Sequence, residues 1–130
     1  MLNLKRRNTI GQEELHAASE VIKTGILSDF IGAPGDNFYG GKQVKALEKE
    51  WASYFGVKYA ISVNSWTSGL ITSIGALQLE PGDEVITSPW TMCATATAIL
   101  HWNLIPIFAD IDETTFNINT NTILPHINNK

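Results

Sequence analysis

The chain has 130 residues, 44% apolar and 17% charged, with a formal net charge of -4. That is enough for one soluble domain with a core, and the negative balance leaves no electrostatic footprint for DNA or RNA; the short Lys5-Arg6-Arg7 cluster reads as a solvated tail. A single cysteine, Cys93, excludes an internal disulfide and agrees with a reducing cytoplasm, no apolar stretch follows the basic cluster as a signal peptide would need, and no apolar run reaches the ~20 residues of a membrane helix.

Residues 11–23 read as a first helix, because Leu15, Ala18, Val21 and Ile22 recur at helical spacing and Thr24-Gly25 supplies a stop. Residues 26–41 form a loop dense in turn signals, with Gly32, Pro34, Gly35, Gly40 and Gly41. A loop of that length is unusual in a compact domain and is often functional. Residues 42–55 are a second helix with Val44, Leu47, Trp51 and Phe55 on one face and Gly56 as its C-cap.

The pattern then changes. A short strand is expected over 58–63, a third helix over 65–79 with Leu70, Ile74 and Leu77 on its apolar face, and a turn at Pro81-Gly82-Asp83. A strand follows over 84–87, a fourth helix over 91–101 and a third strand over 105–109, which Asp110-Ile111-Asp112 leaves. The Asn/Thr-rich end, 117–130, reads as a loop entering a helix. Alternating strands and helices imply βαβ units with right-handed crossovers. The expected class is α/β, a mostly parallel sheet with helices on both faces, preceded by two helices. The organisation expected is 1–41 as an N-terminal helix and loop, and 42–130 as an incomplete larger domain. Three strands leave unpaired edges, so the fold is expected to continue past Lys130 or to be completed by a partner chain.

Ligands bind beyond the carboxyl ends of strands in such sheets. Residues 64–68, 88–91 and 110–112 fall at that edge. In Asn64-Ser65-Trp66-Thr67-Ser68-Gly69 the helix N-terminus and the Thr67 and Ser68 hydroxyls could hold an anion. Taken alone, the stretch fits Ser65 as a plain N-cap better, and it has the glycines of neither a P-loop nor a dinucleotide fingerprint. Trp90, between a strand and a helix, could stack on a planar ligand or simply be core. A phosphate grip and a flat ring together suggest a phosphorylated aromatic cofactor. His16, His101 and His126 have no metal-ligand spacing, so no metal is expected. Asp110 and Asp112 suit a turn or cap better than an acid/base pair, and Cys93 has no adjacent base.

The ordered set Phe55-Gly56-Val57-Lys58-Tyr59-Ala60, Ser65-x-Thr67-x-x-Leu70, Pro81-Gly82-Asp83-Glu84-Val85-Ile86, Trp90-Thr91 and Pro106-Ile107-Phe108-Ala109-Asp110-Ile111-Asp112 resembles the DegT/DnrJ/EryC1/StrS sugar aminotransferases. These are pyridoxal-phosphate (PLP) enzymes of fold type I. The resemblance runs from about Ile10 to about Asn119. It implies that Thr67 and Ser68 hold the cofactor phosphate through hydroxyl and backbone N–H, and that Trp90 stacks on the pyridine ring. It implies that the loop from Gly25 to Gly41 lies near the active site and the dimer contact. Two positions depart from the family pattern, which has glycine at Trp66 and alanine at Gly69. The family's catalytic lysine and the aspartate on the pyridine nitrogen belong to motifs absent here; neither Lys58 nor Lys130 matches, so no catalytic residue is assigned.

The resemblance therefore implies the N-terminal part of the large domain of a cytoplasmic, homodimeric aminotransferase of nucleotide-sugar and cell-surface polysaccharide biosynthesis. Its amino donor would be glutamate or glutamine and its acceptor a nucleotide-linked keto sugar. No nucleic-acid or membrane partner is expected, and the isolated chain is expected to be inactive. The alternatives are a PLP-dependent sugar dehydratase, in which a histidine replaces the lysine, a non-enzymatic α/β binding or dimerisation module, and a truncated relic.

Overall fold

The structure, a computed structural model, describes residues 9–128; the Lys5-Arg6-Arg7 cluster and Lys130 lie outside them. Two units divide between Ser62 and Val63.

In the first unit, helix α1 (Gln12–Lys23) starts where the Glu14 carboxylate turns back to accept the Gly11 N–H at 2.7 Å. That bond satisfies a donor the helix itself leaves free. The chain leaves the helix through Thr24 and through Gly25, whose φ of +71° only glycine adopts cheaply. The loop that follows contains a 3-10 turn (Asp36–Tyr39) and is tied by Asn37 Nδ2 donating to Asp29 Oδ1 at 2.9 Å. Helix α2 (Lys42–Phe55) ends in paired bonds, Val57 N–H to Ala52 O and Gly56 N–H to Ser53 O, around a left-handed Gly56. An open cleft of about 510 Å³ lies among the end of α1, the loop and the start of α2, with Glu20, Thr24, Ser28, Asp29 and Lys42 on its walls.

Residues 58–63 form no strand, which corrects the expectation there. A strand exists only through its partner's hydrogen bonds, and no described residue pairs with this segment. Its anchor is a side chain: Glu48 Oε1 accepts Ser62 N–H at 2.8 Å and Ser62 Oγ–H at 2.9 Å.

The second unit holds helix α3 (Trp66–Ala76), strand β1 (Glu84–Thr87), helix α4 (Cys93–His101), strand β2 (Ile105–Phe108) and a short helix α5 (Thr120–Ile123). The strands pair in parallel with Glu84 opposite Ile105 and Thr87 opposite Phe108, as a βαβ unit requires. The sheet among the described residues is thus two-stranded, where three strands were expected. Ala94, Ala98, Ile99, Leu104 and Ala109 are its buried apolar residues. Helix α3 packs on α4 where Trp102 Nε1 donates to Ile71 O at 2.8 Å and its ring crosses Gly75. The turns before the two strands are joined by Gly82 N–H to Asn103 O and Ile105 N–H to Asp83 O, both 2.9 Å. The C-terminal ends of α3 and α4 therefore lie at the edge where the strands begin. Their N-termini face the edge where the strands end.

Candidate functional site

Ser65 caps α3 from extended backbone (φ -159°), its Oγ accepting the Ser68 N–H at 3.1 Å. The Gly69 N–H goes to Ser65 O at 3.1 Å. The Gly69 bond is the first of the helix itself, so of the four orphan donors that open an α-helix, here those of Ser65 to Ser68, the cap consumes the fourth. The N–H groups of Trp66 and Thr67 have no partner among the described residues. The Ser68 hydroxyl is also committed, donating to Asn64 Oδ1 at 2.6 Å and standing 3.0 Å from Ser65 Oγ. The Thr67 hydroxyl, on a half-buried residue, has no hydrogen bond among the described residues. The free donors of the helix's own first turn thus belong to Trp66 and Thr67, and the partial positive charge there favours an anion. The Trp66 side chain is 78% exposed, and its ring edge lies over the first turn at Gly69.

Trp90 lies between β1 and α4 at the same strand-end edge of the unit. Its N–H donates to Ser88 Oγ at 3.0 Å, and the residue is 68% exposed. The ring of Phe116 stands beside it, with centroids 6.1 Å apart and planes tilted by 30°. Phe116 comes from the segment after β2, and its φ of +58° is left-handed, rare for a bulky side chain. Nothing in the sequence flagged Phe116 itself. The usable signal was Asp112 followed by Thr114 and Thr115, residue types whose side chains organise turns.

Asp112 performs that role. Its Oδ1 accepts the N–H groups of Thr114 and Thr115 at 3.0 and 2.8 Å and the Thr115 hydroxyl at 3.1 Å. Those bonds, led by the Thr115 N–H, hold its carboxyl below the usual aspartate range. Asp110 Oδ1 accepts the Ile111 N–H at 2.8 Å. The aspartates are built into backbone turns, as expected. The ring of His101 packs edge-on to Trp102, and Cys93 is exposed at the start of α4. No group of three or more metal-ligating side chains comes together among the described residues.

Comparison with known proteins gives one consistent result. The model of the DegT/DnrJ/EryC1/StrS aminotransferase family matches residues 10–130. The chain is 43% identical over 109 residues to the spore coat polysaccharide biosynthesis protein SpsC of Bacillus subtilis, covering 84% of this chain and 25% of SpsC. An aminotransferase from Psychrobacter cryohalolentis superposes with a TM-score of 0.77 at 29% identity, over 93% of this chain and 28% of its own. The E. coli GDP-4-keto-6-deoxy-D-mannose-3-dehydratase with hydrated PLP bound superposes with a TM-score of 0.78 at 26% identity, over 94% of this chain and 30% of its own. The chain thus spans about a quarter of the length of the curated relative.

Proposed function

Because the chain belongs to the DegT/DnrJ/EryC1/StrS aminotransferase family, we propose that it is the N-terminal part of a PLP-dependent enzyme that moves an amino group from glutamate or glutamine to a nucleotide-linked keto sugar. One observation carries the cofactor assignment. The unpartnered N–H groups of Trp66 and Thr67 and the Thr67 hydroxyl lie at the edge that also bears the exposed ring of Trp90. PLP presents one phosphate and one flat ring, and this donor set and ring suit both.

Thr67 gives its N–H and its hydroxyl proton to the phosphate. Ser68 steadies the grip, since its own N–H and hydroxyl proton are already given to Ser65 and Asn64. Trp90 would hold one face of the cofactor ring and keep water from it. When bound, the cofactor supplies an electron sink for chemistry at the amino-bearing carbon. The residues assigned here bind and orient; none is assigned proton transfer.

The family, together with a relative named for spore coat polysaccharide biosynthesis, supports a place in cell-surface polysaccharide synthesis. A homodimer in the cytoplasm, with the loop from Gly25 to Gly41 near the active site and the dimer contact, belongs to the same proposal. So does the division into 1–41 and 42–130. No helix among the described residues is long and apolar enough to cross a membrane. Sugar dehydration is the second reading, because the dehydratase superposes as closely as the aminotransferase does. The residue at the family's catalytic lysine position discriminates the two.

The test is PLP binding to purified 1–130, followed by tryptophan fluorescence. Wild type is expected to bind, and Thr67→Val to bind roughly 10- to 100-fold more weakly, as for the loss of a hydrogen bond to a charged group. Ser68→Ala should lose less. Equal binding by Thr67→Val would remove the assignment. With PLP, glutamate and a keto sugar nucleotide, 1–130 alone is expected to form no amino sugar. Measurable turnover would overturn that part.

A further inference from the structure

We propose that Phe116 is a positioning residue that fixes the ring of Trp90 for contact with the cofactor, an inference that rests on the cofactor reading above. Trp90 is anchored through its backbone by Ser88, while the residue is 68% exposed. An exposed indole with free side-chain torsions loses rotamer freedom when it binds a flat ligand. A neighbour that holds the ring beforehand reduces that loss. Phe116 is the aromatic neighbour the structure supplies, 6.1 Å away between centroids and tilted by 30°, a spacing at which ring pairs attract.

The backbone beneath Phe116 points the same way. A phenylalanine at φ +58° is held against its own preference. The hold is visible: Phe116 N–H donates to Asp112 O at 2.8 Å, Asp112 N–H donates to Asn117 O at 2.9 Å, and the Asp112 carboxylate gathers Thr114 and Thr115. Burial does not explain the conformation, because Phe116 is 57% exposed. What the strained turn achieves is the delivery of one ring to another. Phe116 acts through Trp90 and touches no reacting atom.

The experiment uses 1–130 with its four tryptophans labelled as 5-fluorotryptophan, with the Trp90 fluorine resonance identified by its loss in Trp90→Phe. Without cofactor, Phe116→Ala should shift or broaden the Trp90 resonance and leave the others in place, and Phe116→Tyr should restore it. Phe116→Ala should weaken PLP binding roughly three- to ten-fold and leave competition by inorganic phosphate unchanged. In a Trp90→Ala background the same substitution should have no further effect. Phe116→Leu, which keeps the apolar bulk, guards against simple unfolding of the turn and should still weaken binding. An unmoved Trp90 resonance, or equal weakening with and without Trp90, would overturn the proposal while the cofactor reading stands. Failure of wild type to bind PLP would overturn the cofactor reading, and this role with it.

Discussion

The Asp112 carboxylate gathers two backbone N–H groups and one hydroxyl, and so ties the order of its turn to its charge. Its acidity is raised by those bonds, the Thr115 N–H first, so it titrates below the usual aspartate value of roughly 3.9. A carboxyl depressed by folding stabilises the folded state above the unfolded value, and that contribution fades as pH falls through the lower, folded value. The turn should therefore be fully held at neutral pH and loosen only in acid below about 4. The Thr115 amide resonance should report the titration with a midpoint below that of a free aspartate; a midpoint at or above it would contradict the bonding. The same scale explains what the sequence concealed at the site. Thr67, Ser68 and Trp90 stood out as residue types near the ends of helices and strands. The division of labour between Thr67 and Ser68 did not, because it depends on which donor Ser65 captures. Phe116 stayed hidden because no local pattern announces a bulky residue with positive φ.

The contact between α3 and α4 depends on a missing methyl group. A Cβ on Gly75 would lie 2.3 Å from Cζ2 of Trp102, whose ring is held by its N–H bond to Ile71 O. The ring cannot retreat without breaking that bond, so Gly75→Ala should destabilise by about 1–3 kcal/mol through overpacking. Gly69 provides the control. A Cβ there meets Val63 at 3.5 Å and Trp66 at 3.8 Å, ordinary contact distances. Gly69→Ala, the residue usual in the family, should stabilise by about 0.5–1 kcal/mol through helix propensity. Urea midpoints of the two variants should move in opposite directions, and a Gly75→Ala protein as stable as wild type would refute the account. Helices with their own punctuation were legible: α2 ends at Phe55 because Gly56 stops it. Helix α3 stops at Ala76 rather than 79, with Gln78 turning at φ +54°, and no glycine or proline marked that end. The segment at 58–63 has strand chemistry but no ladder, since periodicity identifies a strand's faces and cannot supply its neighbour.

Across the whole molecule, apolar surface exceeds what its own core takes up. Among the described residues the buried apolar ones are Ala94, Ala98, Ile99, Leu104 and Ala109, three of them alanines, while α1 and α2 bury none. On α2, Trp51 and Phe55 touch each other at 5.1 Å and remain 56% exposed each. Both helices carry the apolar stripe of a surface helix that packs on something, and contiguous exposed apolar area marks a surface meant for contact. Stability scales with area removed from water, so 1–130 in isolation should unfold with a shallow urea dependence. A slope at or below about 1 kcal/mol/M is expected, the low end for small proteins, together with strong binding of the dye ANS. A steep, cooperative transition without dye binding would mean that these faces are covered in solution, and sedimentation would then separate self-association from a rearranged monomer. The shallow outcome has a consequence for the site. A helix N-terminus grips an anion only as firmly as its own helix is held, and α3 is held by Trp102 across Gly75. The phosphate affinity of 1–130 should therefore decline over the same urea range as the α3–α4 contact, so the grip proposed at Thr67 and the packing at Gly75 would be two readings of one local stability.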